Sequence, residues 1–490
     1  MKSKVLCQEL TPRRLQSSSV PSRRRIDVVV KKKLLNSMTG LLLLLAVAAQ
    51  DKAPTTQPRA EMKAAGTPAE TIRSMLMVLY ENGQFNGSIL IATNGVVVYR
   101  DAFGSAASSS IKNRPETPSN LASVSKQFTA MAVMMLVERD KMGYEDLITK
   151  YLPELVDSSK EITIRHLLTH TSGIPDVGDL EIDRPNLRES EVMKAIVEKH
   201  THFGSPGGKY RYSNTGYKLL GMIVERVAGM SLADFLARNI FDPLGMPSTR
   251  LSTRPGGTKG DGGIFSTVDD LLKWDQALYS NRLVKQEALK AAFTPASVRE
   301  GTTTYGFGWN SAERDGDRFV WHTGNTGEYR AFIGRRLGEK VLVVILTNRG
   351  DSRRPEICEA ILDILHNKPY RMPKLSVTSA LIDAIQKLGV EAGIQEYHRL
   401  KTTQPEKFDF SESVLNSLGY QLLGEGEKEA AVRIFESNTR EFPESSNTYD
   451  SLGEAYKKIG QKERAIQSYR KALELDPSNI NARNMLKSLE

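Results

Sequence analysis

The stretch Asn120-Leu-Ala-Ser-Val-Ser-Lys-Gln-Phe-Thr-Ala130 predicts a loop that runs into the first turn of a helix. The apolar residues behind it have the spacing of one buried helical face: Val124, Phe128, Met131 and Met135. Ser123 and Lys126 are three positions apart, so a helix makes their side chains neighbours. The free N–H groups and the dipole at a helix start favour a developing negative charge. A hydroxyl, an amine base and such a backbone are the components of covalent acyl transfer.

The Ser-x-x-Lys pattern is weak by itself, because it occurs three times, at Ser109, Ser123 and Ser468. Serine is common at helix starts, so a capping serine followed by a solvated lysine gives the same pattern. The function of Ser123 therefore depends on partners elsewhere in the chain.

The formal net charge of +9 is concentrated at the start of the chain. Residues 1–33 contain ten lysines and arginines against two acidic residues, so the rest of the chain is almost neutral. A near-neutral body offers no basic stripe for phosphates, which argues against nucleic-acid binding.

Residues 1–49 have the order of a secretory leader. A basic segment, Lys31-Lys-Lys33, precedes an apolar run over 41–47, and Ala46-Val-Ala48 offers a small-residue cleavage site. The run is short for a membrane span, although an uncleaved membrane anchor remains the alternative. We therefore expect an exported protein, periplasmic or secreted, with a linker over residues 50–69. Only Cys358 follows the leader, so no internal disulfide can form, and we expect a buried thiol there.

Strand patterns occur at both ends of residues 70–366, and helical patterns lie between them. Asn94-Gly95 separates two β-branched runs and predicts a hairpin over 85–100. Apolar runs at 318–322, 329–336 and 340–347 predict three later strands, the last of them central in a sheet. The prediction is an α+β domain with an antiparallel sheet flanked by helices and a helical subdomain. Residues 176–205 and 295–316 are interpreted as loops that shape the substrate site.

The tail predicts an all-α solenoid, because matching residues recur at an offset of 34. The pairs are Ser417 and Ser451, Gly426 and Gly460, Ala431 and Ala465, Phe435 and Tyr469, and Pro443 and Pro477. This period is typical of tetratricopeptide repeats, which we place at residues 412–490. Residues 367–411 are interpreted as a helical linker with a degenerate repeat. So short an array is expected to dock on the catalytic domain, and such repeats commonly bind a protein partner.

His166 and His170 are four apart on a helix predicted over residues 162–175. This spacing suits a metal pair, but no third ligand accompanies it, so structural roles are favoured. We predict neither a metal site nor a cofactor.

Two later motifs can complete a site around Ser123. Tyr212-Ser-Asn214 is the one Tyr-x-Asn sequence that lies in a glycine-rich loop before a predicted helix. His322-Thr-Gly324 ends a predicted strand, where glycine allows close approach to a ligand.

With these three motifs in this order, residues 70–366 resemble the serine β-lactamase and penicillin-binding-protein superfamily, in particular its class C-like branch. The resemblance implies a β-lactamase/transpeptidase-like fold. It also implies an acyl-enzyme formed with a β-lactam, a D-amino-acid peptide or a carboxylic ester.

The resemblance also implies the role of each residue. Ser123 would be the acylated nucleophile, and Lys126 and Tyr212 would form its base, with Tyr212 as a phenolate or through a network shared with Lys126. The substrate-binding residues would be Asn214, His322, Thr323 and Gly324. The backbone N–H groups of Ser123 and Asn325 would form the oxyanion hole.

One position departs from the class C pattern, because His322 stands where lysine is usual. Histidine is mostly neutral at pH 7, so attraction for a substrate carboxylate should be weaker or pH-dependent, which disfavours efficient β-lactam hydrolysis. The alternative function is a penicillin-binding sensor that stays acylated and binds a partner through its repeats.

Overall fold

The computed structural model describes residues 61–490 except 107–109, 179, 181, 183–186, 200–202, 253–258, 295–296 and 478. The predicted leader, its cleavage site and residues 50–60 of the predicted linker lie outside the described residues. The end of that linker is structured, because Met62 and Tyr370 exchange backbone hydrogen bonds of 2.8 and 3.0 Å. The first helix begins at Pro68, two residues before the predicted domain start.

The catalytic domain is built on an eight-stranded sheet in the order β2-β1-β11-β10-β9-β8-β7-β6, in which every neighbouring pair is antiparallel. Short strands β3, β5 and β4 form a second sheet, and β12 and β13 form a parallel pair. The strands are β1 (Gly87–Thr93), β2 (Val96–Phe103), β3 (Ser119–Asn120), β4 (Arg250–Leu251), β5 (Ile264–Ser266), β6 (Ser297–Glu300), β7 (Thr303–Tyr305), β8 (Asn310–Arg314), β9 (Asp317–Thr326), β10 (Tyr329–Arg336), β11 (Val341–Thr347), β12 (Leu375–Ser376) and β13 (Phe408–Asp409).

The helices are α1 (Pro68–Glu81), α2 (Lys126–Glu138), α3 (Val156–Ser159), α4 (Ile164–Leu168), α5 (Glu189–Lys199), α6 (Asn214–Ala228), α7 (Leu232–Leu236), α8 (Asp242–Leu244), α9 (Val268–Ala277), α10 (Gln286–Phe293), α11 (Arg354–Leu365), α12 (Thr378–Leu388), α13 (Val390–Thr403), α14 (Glu412–Glu425), α15 (Lys428–Glu441), α16 (Ser446–Lys458), α17 (Lys462–Leu475) and α18 (Ile480–Leu489). Among the residues described, no helix combines the length and the apolarity needed to cross a bilayer.

The central strand β11 explains why the sheet has helices on both faces. All seven of its residues are buried. Leu342, Val344 and Leu346 pack into the core with α2, α6 and α9, whereas Val341, Val343 and Ile345 pack into a second core with α1 and α11. Because alternate side chains leave a strand on opposite faces, a strand with successive apolar residues requires cover on both sides. The α+β prediction is confirmed, and Cys358 is buried in the second core.

Three local predictions are wrong. Residues 176–205 are not only loop, because helix α5 (Glu189–Lys199) lies among them. Residues 295–316 are not only loop, because three short strands, β6 to β8, extend the sheet there. Strands of three to five residues are too short to show a reliable alternation. The helix predicted over 162–175 is only the five-residue α4, which ends before His170, a residue with φ of 56°.

The tail folds as antiparallel helix pairs, α12 with α13, α14 with α15, and α16 with α17, followed by α18. A Cβ added to Gly419 would lie 2.6 Å from the Phe435 ring, and one added to Gly453 would lie 2.8 Å from the Tyr469 ring. In each repeat, the glycine of the first helix thus leaves room for the aromatic ring of the second helix, and the two glycines occupy equivalent repeat positions. The linker before the repeats contacts the catalytic domain through a salt bridge between Arg353 and Asp409. Docking of the repeats themselves stays a prediction.

Candidate active site

Ser123 and Lys126 meet at the start of α2, where the side chain of Lys126 is completely buried. Ser123 lies in a tight turn, Ala122–Ser125, immediately before the helix. The Nζ atom of Lys126 donates to Ser123 Oγ at 3.1 Å, Asn214 Oδ1 at 2.8 Å and the backbone oxygen of Asp261 at 2.9 Å. Three acceptors therefore hold one amine against the hydroxyl that the sequence predicts to be the nucleophile.

Burial changes the acidity of this amine. It lowers the pKa of Lys126 from 10.5 to about 8, although the carboxylates of Asp261 and Asp176 oppose that change. At pH 7 about a tenth of such a lysine is neutral, against about one in 3,000 for an ordinary lysine. A neutral amine beside a hydroxyl can accept its proton, so the site contains a base that works near neutral pH.

Tyr212 closes the other side of the serine. Its hydroxyl is hydrogen-bonded to the Ser123 side chain, and the Lys126 ammonium lies 4.9 Å from the centre of its ring. Burial raises the pKa of Tyr212 well above its usual value, so the phenol stays protonated at neutral pH. This favours the predicted shared network with Lys126 over the phenolate.

Two half-buried acids that the sequence analysis missed hold this arrangement. Asp176 accepts hydrogen bonds from Asn214 Nδ2 and from the backbone N–H of Thr215, both at 3.0 Å. Asp261 accepts one from Lys218 Nζ at 3.0 Å. Neither acid has a diagnostic spacing to Ser123, although Asp176 directly follows Pro175 and Asp261 directly precedes the pair Gly262-Gly263.

His322 is buried on β9, only 3% exposed. Its Nε2 is hydrogen-bonded to the Tyr305 hydroxyl at 2.9 Å, and its Nδ1 to the backbone oxygen of Thr323 at 2.6 Å. Burial, reinforced by Lys126, lowers the pKa of His322 to about 3. The imidazole is thus neutral throughout the physiological range, which excludes a pH-dependent cation at this position. Tyr305 was missed because it lies in the segment interpreted as a loop.

The two histidines considered as a metal pair each accept a backbone hydrogen bond. His170 Nδ1 accepts from the N–H of Ser213 at 3.1 Å, which fixes the loop that carries Tyr212. His166 Nδ1 accepts from the N–H of Thr163 at 3.2 Å and caps α4.

Gly324 brings β9 against the turn that carries Ser123. A Cβ at this position would lie 2.1 Å from the backbone oxygen of Leu121 and 3.1 Å from the Cβ of Ala122. Only glycine therefore permits this approach, and it sets Thr323 and Asn325 at the edge of the site. The structure thus brings Ser123, Lys126, Tyr212 and Asn214 together, and the strand that carries His322 and Gly324 lies beside them.

A beta-lactamase family profile matches residues 78–366. The chain belongs to the beta-lactamase family. A tetratricopeptide repeat profile also matches residues 446–479. Penicillin-binding protein 4* of Bacillus subtilis (strain 168) is 32% identical over 354 residues, which are 62% of this chain and 77% of that protein. These matches confirm the resemblance and the fold class predicted from the motifs.

Further similarities place this beta-lactamase-family chain among serine hydrolases at the level of the family. A D-aminopeptidase of Brucella canis (strain ATCC 23365 / NCTC 10854 / RM-666) is 27% identical over 319 residues, 58% of this chain and 61% of that protein. The octameric penicillin-binding protein homologue from Pyrococcus abyssi superposes with a TM-score of 0.58 at 26% identity, covering 64% of this chain and 81% of that chain. D-amino acid amidase from Ochrobactrum anthropi SV3 shares the fold, with a TM-score of 0.54 at 22% identity and coverage of 61% and 99%.

Proposed function

We propose that this protein is an exported serine hydrolase that cleaves an amide or ester through an acyl-enzyme on Ser123. One observation carries the proposal: a buried amine with a pKa of about 8 lies 3.1 Å from the Ser123 hydroxyl. A buried lysine at a serine hydroxyl has no evident stabilising purpose, since its desolvation opposes folding. It is well suited to taking the serine proton.

In the proposed reaction, Ser123 Oγ attacks the substrate carbonyl and its proton passes to neutral Lys126. The N–H groups of Ser123 and Asn325 stabilise the oxyanion. Tyr212, protonated and hydrogen-bonded to Ser123, relays the proton from Lys126 to the leaving group. Water then attacks the acyl-enzyme while the same network takes its proton, so the enzyme returns to its starting state.

Asn214 has a divided role in this proposal. Its Oδ1 holds Lys126 and its Nδ2 is bound to Asp176. The second Nδ2–H and the second lone pair of Oδ1 remain for the substrate amide. We propose that Asn214 first orients the base and that Thr323, Gly324 and the buried His322 form the strand along which the substrate lies.

For the substrate, we propose a D-amino-acid amide or peptide, or a carboxylic ester, ahead of a β-lactam. The neutral His322 supplies no permanent cation for a carboxylate, which the class C pattern provides through lysine. The relatives named as D-aminopeptidase and D-amino acid amidase support this order. Export rests on the order of residues in the leader, and a protein partner rests on the repeats.

The test is active-site labelling of the full chain with a fluorescent fluorophosphonate. Wild type and Ser468→Ala, whose serine belongs to another Ser-x-x-Lys match, should label equally, and Ser123→Ala should not label. Equal labelling of Ser123→Ala and wild type would show that another residue is the nucleophile. Turnover of p-nitrophenyl esters, D-alanyl peptides and nitrocefin then orders the substrates. Acylation without turnover on every substrate would instead favour the sensor function.

A further inference from the structure

Helix α11 begins with a buried arginine that is bound to the strand beside Ser123. Arg354 is 7% exposed. Its Nη1 donates to the backbone oxygens of Gly324 at 2.8 Å and Ala331 at 2.9 Å. Its Nη2 donates to Asn325 Oδ1 at 2.7 Å. The guanidinium thus contacts two successive residues of β9 at the edge of the site.

The position of Arg354 is unfavourable for a cation. Within the described part of the chain, no salt bridge joins it to a carboxylate, whereas its neighbour Arg353 pairs with both Glu356 and Asp409. Burial and the nearby Arg330 lower the pKa of Arg354 to about 10. It is also the first residue of α11, where the helix dipole disfavours positive charge. A cation kept at such a cost suggests a role beyond packing.

The geometry of β9 connects this cation to the oxyanion hole. The oxygens of Gly324 and Ala331 converge on one nitrogen, so this cross-strand pair is of the hydrogen-bonded type, in which each carbonyl points towards the partner strand. The Gly324 oxygen and the Asn325 N–H belong to one trans peptide and point in opposite directions. The Asn325 N–H is therefore directed away from β10, towards the edge that faces the Ser123 turn.

We propose that Arg354 is a positioning residue for oxyanion stabilisation. Its guanidinium holds and polarises the Gly324–Asn325 peptide through the Gly324 oxygen, so that the Asn325 N–H is a fixed, stronger donor. A charge-assisted bond to the peptide oxygen increases the positive character of the N–H at its other end. The bond to the Asn325 side chain fixes the orientation of the same residue. A donor oriented before the reaction requires no reorganisation when the oxyanion forms. This inference rests on the proposed function.

The test compares two variants of Arg354 in the full chain. Arg354→Met removes the charge and the donors, and Arg354→Lys keeps the charge. Arg353→Met is the matched control, since it removes the adjacent arginine, whose bonds go to carboxylates instead. Each protein is acylated with a p-nitrophenyl ester labelled with ¹³C at its carbonyl. Stopped flow gives the acylation rate, and the infrared carbonyl band of the acyl-enzyme reports hydrogen bonding in the oxyanion hole.

The expected result is an acylation rate at least about tenfold lower in Arg354→Met, since losing a whole oxyanion donor costs about 10²–10³-fold. Its carbonyl band should move to higher frequency, with Arg354→Lys between it and wild type and with Arg353→Met unchanged. A wild-type acylation rate in Arg354→Met overturns the inference. A slower rate with an unmoved carbonyl band overturns it too, because a purely structural role would leave the band in place. If Arg354→Met does not fold, Arg354→Gln carries the same readouts. If the wild-type protein itself is not acylated, the proposed function is overturned together with the role of Arg354. If wild type is acylated, a failed comparison overturns only the role of Arg354.

Discussion

The pH dependence of Ser123 acylation tests the central physical argument, that burial makes Lys126 a base near neutral pH. With a pKa of about 8, the neutral fraction of Lys126 is about 1% at pH 6, about 10% at pH 7 and about 50% at pH 8. The acylation rate should therefore rise about 50-fold from pH 6 to pH 8 and reach a plateau above about pH 9. The assay is the stopped-flow burst of p-nitrophenol from an ester, fitted at each pH.

A single charge change sharpens this prediction. The Asp176 carboxylate raises the pKa of Lys126, so Asp176→Asn should move the midpoint of the profile below that of wild type. Asp383→Asn, which removes an exposed acid from the helical linker, should leave the midpoint unchanged. A flat profile between pH 6 and 9, a midpoint near that of an ordinary lysine, or an upward shift in Asp176→Asn would refute the reasoning.

Three further predictions follow from buried contacts. The pKa of Lys126 is lower in the folded state than in the unfolded state, so the folded state loses this proton at lower pH. The free energy of unfolding should therefore rise by about 3 kcal/mol between pH 8 and pH 10.5. Urea unfolding of wild type and of Lys126→Met at both pH values measures that difference. Gly324→Ala should reduce acylation at least about 100-fold by forcing β9 away from Leu121, and an unchanged burst rate would contradict the close approach. Arg335→Met should lower the free energy of unfolding by about 3–5 kcal/mol, because it removes the partner of the buried Asp275. In the wild type the Asp275 carboxylate lies 2.6 Å from the Arg335 guanidinium. A change below about 1 kcal/mol in urea titration would show that the pair contributes little.

Local patterns predicted much of the fold because they concern residues near one another in the chain. The hairpin at Asn94-Gly95, the apolar run that became β11 and the 34-residue offset each needed only short-range spacing. The segment 295–316 failed because its strands are short and are held by neighbours distant in sequence.

The same distinction applies to the candidate site. The sequence by itself determined that Ser123 and Lys126 lie on one face of a helix start, since three positions separate them. Only the tertiary structure decided that Asp176 acts on Lys126, that Tyr305 binds His322 and that Arg354 binds the strand beside Ser123. It also decided that Lys126 is weakly basic whereas His322 is neutral. The physical reason is that desolvation and charge depend on everything packed around a group, and residues far apart in the chain supply that surrounding.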